Sequence, residues 1–469
     1  MRTLFLIPLL LVFNWTLSAS NLQFSNVTFN DETLELAFDI SWDYSWYDGG
    51  EFRDAVYLFV KYRPNGSSWQ HADMSNASFA STITGVTSGF SKNNMGRYIK
   101  RSSANIGSGS ISGRYFIIFM EGDLMGSFYD FKVFGMEMVE IPSGSFYAGD
   151  GISSQSVHQF GNPSLPYHIT SNAALSTSNG FLDRWGSSLP VEYPKGYSGF
   201  YIMKYHVTQQ QMVDFFNTLT RIQQDSLIPE DLSGPIVSNQ YVLNNSIWCD
   251  QDIESSGPIT FYCNRNLANP PDDFDDGQWR SCNGVTLRIM LAYLDWAGMR
   301  PLSYLEYEKA ARGPLYPVAL EKSWGSSVVS MGSSFVDSGQ ATETIQDASL
   351  WPGHVYGQPR RVGYTVPTTG GTREISQASY YGVIGLGNNV ADWVIGGNVA
   401  NTFTDEDHGD GRISLDGKPD VSSWSTWEES DIVRKITNGT TTWGSVSSCS
   451  ISVGGNYVDS GFRGVISFF

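Results

Sequence analysis

The sequence predicts an α+β fold in which an all-β sandwich precedes a larger, loop-rich domain with a few helices. Three observations carry this expectation. The early part of the chain alternates apolar and polar residues with a period of two, which marks half-buried strands. The character changes at Met136-Glu137-Met138-Val139-Glu140-Ile141-Pro142, beyond which long Gly-, Asn- and Ser-rich stretches separate the patterned segments. Three of those later segments place apolar residues at helical spacing between recognisable caps.

The strands come first. Leu34, Leu36, Phe38, Ile40 and Trp42 alternate strictly with other residues. Ala55 to Tyr62 is nearly continuous in Val, Tyr, Leu and Phe, and reads as a central strand buried on both faces. Arg114 to Met120 reads as a third strand. Leu22 to Phe29 is strand-like as well, and is suited to joining the sheet edge of a neighbour. Phe90 to Gly113 is rich in Ser, Gly and Asn and has no periodicity, so it reads as a long loop. A Trp and Tyr cluster (Trp42, Tyr44, Trp46, Tyr47) suits either a core or a carbohydrate-stacking platform. These features place the sandwich over residues 21–134.

The helices follow. At the first, Thr208 and Gln211 form a capping box ahead of Met212, Phe215, Phe216 and Leu219. A second covers about Thr286 to Ala297, with Gly298 placed to end it. In the third, Ser303 and Glu306 form a capping box, Leu302 and Tyr307 suit a hydrophobic staple, and Gly313-Pro314 stops the helix.

Composition narrows function. Charged residues are only 16% of the 469, aromatics are 14%, and the formal charge is −18. Such acidity, without a basic run, argues against nucleic acid as a partner. Arg2, the apolar run Leu4 to Phe13 and the small residues Ser18-Ala19-Ser20 have the order of a signal peptide, expected over residues 1–20. No later apolar stretch approaches the ~20 residues of a membrane span. The expected protein is therefore exported, extracellular or at a cell surface, and not membrane-spanning. Export permits disulfides among Cys249, Cys263, Cys282 and Cys449. The first three fall within 34 residues, so one local bridge is plausible, and sequence does not choose the pairing. Asn26, Asn65, Asn76, Asn244 and Asn438 begin glycosylation sequons.

Four ordered stretches resemble the formylglycine-generating-enzyme (sulfatase-modifying-factor) family. Val139-Glu140-Ile141-Pro142 through Phe146 and Gly149 is similar to its opening motif. Phe200 to Thr208 is similar to its F-x-I-x-K-Y-E-V-T segment. Trp296 to Gly313 looks like its W-x-G-x-R…E-Y-A-A-R-G segment, and Tyr381 to Trp393 its Y-G-L-Y-D-M-x-G-N-V-W-E-W turn. The chain then closes with Gly461-Phe462-Arg463, as the family does. The resemblance covers residues 135–469 and implies a variant of the C-type-lectin fold.

The same resemblance implies an oxidase that holds copper(I) between two cysteine thiolates shortly before the final Gly-Phe-Arg, because soft thiolates suit that ion. Counting on from Asn438-Gly439-Thr440, those positions fall on Trp443 and Ser448, with Cys449 one residue out of register. Neither residue is a copper ligand, so neither enzyme activity nor copper is expected. The six histidines (His71, His158, His168, His206, His354, His408) show no ligand spacing for the family's iron-dependent relatives. Calcium is the remaining cofactor candidate. Carried over, Asn388 and Val390 would offer carbonyls and Asp392 a carboxylate, while Gly385 stands where relatives place a further ligand. Two acidic runs, at 272–276 and 405–410, lack EF-hand spacing and read as solvated loops or calcium loops.

The leading expectation is a non-catalytic secreted structural protein that self-assembles or docks on other extracellular proteins, as a fibre or surface-layer subunit. The alternative is a lectin-like module binding glycans through Trp424, Trp427 and Trp443. An oxidase is the third.

Overall fold

The computed structural model describes residues 21–92, 94–152, 156–230, 232, 243, 245–249, 256–267, 275–327, 335–345, 359–366, 372–435, 445–448, 450–451 and 459–468. The expected signal peptide, Trp443 and Cys449 lie outside the described residues.

The N-terminal region consists of β1 (Gln23–Asn30), β2 (Glu35–Tyr47), β3 (Asp54–Pro64), β4 (Gln70–His71), β5 (Ser78–Ser81), β6 (Val86–Phe90), β7 (Arg97–Arg101), β8 (Asn105–Ile118) and β9 (Tyr129–Ile141). Four of these form one sheet in the order β1-β2-β8-β5. The alternation read in β2 is real: Leu36, Phe38, Ile40 and Trp42 are buried, with Leu36 opposite Ile117 and Phe38 opposite Tyr115. Leu34 stands outside the strand, at a turn with φ of 52°.

The stretch expected as a loop, Phe90 to Gly113, instead contains β7 and the first half of β8. Its serines and glycines hide the alternation, but the ladder with β2 holds it. Glycine allows a close approach there: a Cβ on Gly113 would lie 2.7 Å from Ile83.

Further on come β10 (Phe146–Ala148), β11 (His158–Gln159), β12 (Tyr167–Ile169) and β13 (Phe181–Leu182), then β14 (Phe200–Met203). The helical part holds α1 (Gln209–Phe216), α2 (Arg221–Leu227), β15 (Ile247–Cys249), β16 (Phe261–Cys263), α3 (Leu287–Trp296), β17 (Arg300–Pro301) and α4 (Tyr304–Arg312). The chain continues through β18 (Phe335–Val336), β19 (Thr344–Ile345), β20 (Ala391–Ile395), β21 (Ile432–Lys435), β22 (Ser450–Ile451), β23 (Ser460–Gly461) and β24 (Gly464–Ser467). Few helices and many antiparallel strands make this a sheet-rich α+β architecture.

The two regions share one sheet. Its order is β17-β24-β14-β9-β3-β7-β6, with β4 added on β3. The boundary expected at 134/135 therefore falls inside β9, which pairs with β3 along its length and with β14 near its end. Both faces of β3 are covered. Tyr62 lies against Phe131, which contacts Phe29 of β1 at 4.5 Å between ring centroids. On the other face Phe59 meets Trp296 of α3 at 5.0 Å, and Tyr57 Oη donates to Ala297 O. The apolar C-terminus completes this sheet, since β24 pairs with β14 and β17.

The capping boxes of α1 and α4 form as the sequence predicts, and α3 carries a side-chain cap as well. Thr208 Oγ accepts from Gln211 N, Thr286 from Ile289 N and Ser303 from Glu306 N. Glu306 also grips Arg300 through two short contacts, 2.6 and 2.9 Å, in a fully buried pair. Ser303→Ala should therefore cost about 1–2 kcal/mol. A urea midpoint unchanged from the parent would show the cap to be idle.

β24 also carries a pH-sensitive contact. Ser467 N donates to His408 Nε2, while His408 Nδ1 faces Glu406 O. Burial, aided by the Arg300 charge, pushes this imidazole down to about 3. The ring binds a proton in the unfolded chain below about pH 6.5 but not in the folded one, so the contribution is intact above that pH and lost on acidification. Asp54 and Asp295, pushed up by burial to about 6 and about 7, act with the opposite sign. The test is thus a difference: from pH 6.5 to 5 the parent should lose about 1–2 kcal/mol relative to His408→Gln. Parallel urea curves at both pH values would contradict it.

Candidate functional site

A buried polar cluster lies next to Ser448, one of the two positions to which the resemblance would give a thiol. Three separate elements supply its first four side chains. Helix α4 presents Glu308 and Arg312 one turn apart, β21 presents Lys435, and the segment 445–448 presents Ser447. Glu308 Oε2 accepts from Gly149 N (2.7 Å), Ser447 Oγ (3.0 Å) and Arg312 Nη1 (3.2 Å). Its other oxygen lies 3.5 Å from Lys435 Nζ. Arg312 also pairs with Glu321 and donates to Ser447 Oγ. Gly149 has to be glycine: φ is +103°, and a Cβ would lie 1.8 Å from Val157 O. Two carboxylates thus balance two cations, all buried.

Ser448, one of the two positions expected to have lost a thiol, has its Oγ 2.9 Å from that of Ser445. A hydroxyl pair is a hard-oxygen arrangement that does not suit copper(I). Of the other thiols, Cys282 is buried and unbridged, with Asn245 Nδ2 at 3.5 Å, and burial pushes its pKa well up, away from the reactive thiolate. Cys249 and Cys263 are buried on the paired strands β15 and β16, offset by two positions of register.

The turn that the resemblance implies for calcium is built around an arginine. Arg463 Nε donates to Asp392 Oδ1 (2.9 Å), Nη1 to Lys204 O (2.9 Å) and Met203 O (3.2 Å), and Nη2 to Ile384 O (2.8 Å). His206 Nε2 lies 3.0 Å from Asp392 Oδ1, and Gly387 N donates to Oδ2. Burial alone would raise the Asp392 carboxyl, but His206 and Arg463 hold it below the ordinary range. Burial and Arg463 push the His206 imidazole down. Of the other expected ligands, Asn388 O accepts from Val390 N, and the Asn388 side chain joins Gln377. The three residues do share one turn, but the carboxylate there already faces a guanidinium, whose charge repels a divalent ion.

Elsewhere, Asp295, Asp410 and Asp420 bring carboxylate oxygens within 4.8 Å of one another. Asp295 accepts from the amides of Asp410 (3.1 Å) and Asp420 (2.8 Å), so it clasps the loop that carries them.

Two of the three tryptophans expected as glycan contacts are buried, and the third, Trp443, lies outside the described residues. Trp424 is 1% exposed and Trp427 9%. They pack against each other and, through Trp427, against Phe403, because a long loop folds back over the core. A different tryptophan is half-buried at the surface. Trp69 lines a surface cleft of about 700 Å³ with Thr218, Thr220 and Ile222. Arg63 and Lys132 flank its ring at 4.8 and 5.1 Å. Nothing in the sequence near Trp69 marked it, because the cleft forms only where the β3–β4 turn meets the link between α1 and α2.

These features define a sheet-rich α+β protein with two buried clusters of ion pairs, one around Glu308 and one around Arg463. No protein-family profile matches the chain, and no curated protein is significantly similar to it. Among the described residues, no helix is long and apolar enough to cross a membrane.

Proposed function

We propose that the chain is a non-catalytic, exported structural protein that keeps a formylglycine-generating-enzyme-like scaffold of C-type-lectin type and acts through its surfaces. The four ordered motifs support the scaffold. The observation that carries the non-catalytic reading is the Glu308–Arg312–Lys435 cluster, which ties the segment leading to Ser448 into a closed, charge-balanced network. Calcium at the Asn388–Asp392 turn has no support in the geometry of Arg463.

Self-association is the surface role favoured here. Sheet extension is a poor route, because β1 is bulged between Ser25 and Thr28 and other sheet ends, such as β5 and β17, are short. The loop between β8 and β9 is the better one: Met120, Met125 and Phe128 are 55%, 60% and 87% exposed. Light scattering across a concentration series should show growing mass that Met125→Ser/Phe128→Ser abolishes. A monomer at every concentration would sink this role.

A second reading, a glycan-binding module, is supported by the surface cleft that Trp69 lines. It requires glycan-array hits that Trp69→Ala removes.

A further inference from the structure

The surface cleft at Trp69 carries the opposite charge to the chain around it. Acidic residues outnumber Lys and Arg by 47 to 29 over the whole sequence. Arg63, Lys132 and Arg221 line the cleft, and among the described residues no Asp or Glu does. Its volume of about 700 Å³ is that of a ligand site. It opens where the N-terminal strands meet the helical part, and such junctions are common places for ligands.

Two of the three cations have partners. Arg63 pairs with Asp130 and Arg221 with Asp225, but both carboxylates are half-exposed and stand outside the wall, where water screens the pairs. Lys132 differs. Among the described residues its ammonium makes neither an ion pair nor a hydrogen bond. It is half-buried and lies 5.1 Å from the centroid of the Trp69 ring. Asp214 attracts it, yet burial and the Arg63 charge outweigh that attraction and hold its pKa below the ordinary lysine value. An anion in the cleft would supply the partner that the chain does not.

Hydroxyls complete the wall. Those of Ser68, Ser256 and Thr260 belong to exposed residues and form no hydrogen bond among the described residues. A free ammonium fixes a negative charge, and free hydroxyls exchange hydrogen bonds with a polyol.

We propose that this cleft binds an acidic saccharide, with a carboxylate or sulfate ester against Lys132 and Arg63 and sugar hydroxyls against the serines and threonine of the wall. This assignment names a ligand class for the glycan-binding reading above and rests on that reading.

The test is a calorimetric titration of the purified full chain with hexagalacturonate, its neutral methyl ester and sulfated maltohexaose. At least one of the two acidic saccharides should bind saturably and roughly tenfold more tightly than the ester, and the one preferred identifies the anionic group. Lys132→Gln should weaken that binding roughly tenfold, whereas Lys132→Arg, which keeps the charge, should retain it. Failure of both acidic saccharides to bind, equal affinity for the ester, or an affinity unmoved by Lys132→Gln would each overturn the proposal. The glycan-binding reading falls with it only if the glycan array is blank as well.

Discussion

Arg463→Met should lower folding stability by about 3–5 kcal/mol, the cost of stranding a buried charge and its partners. Arg463 is 0% exposed and supports Asp392 and three backbone carbonyls from two separate parts of the chain. Its loss leaves the Asp392 carboxylate with only His206 and the Gly387 amide, and takes a donor from the carbonyls of Met203, Lys204 and Ile384. Adding Asp392→Asn removes the stranded charge and should recover part of the loss. A urea-denaturation difference below about 1 kcal/mol would mean that this guanidinium is not what joins β24 to the turn at 384–392.

Glu308→Leu should cost a similar amount, because Lys435, itself 0% exposed, then has no carboxylate. The double variant Glu308→Leu/Lys435→Leu is the informative one. It restores neutrality, so its loss should fall short of the summed single losses by at least about 2 kcal/mol. Additive losses would show that the two side chains act separately, and the closed cluster would no longer support the non-catalytic reading.

Much of the frame was legible in the sequence. Period-two alternation located β2, a continuous apolar run β3, capping boxes α1 and α4, and a closing glycine α3, because all of these signals are local. The buried sites were less legible. Arg463 and Asp392 lie 71 residues apart, and only the fold brings them together. Glu308 and Arg312 stood at helical spacing, but their partners Lys435 and Ser447 come from a distant strand and turn. Trp424 and Trp427 looked exposed because loop composition says nothing about where a loop folds. The strand at 105–113 was missed for the opposite reason. Its Gly113 serves close approach to Ile83, and glycine erases the pattern that marks a strand. The shared sheet was hidden too, since a change of composition near residue 135 does not break the ladder of β9.

The central claim is that the scaffold persists without the oxidase chemistry. The most direct test incubates the purified chain with a cysteine-containing peptide, copper(I) and oxygen, and reads the peptide by mass spectrometry after aldehyde capture. The account predicts an unmodified cysteine at every time point, with Ser448→Ala behaving as the parent does. Copper-dependent aldehyde formation at that cysteine would contradict it.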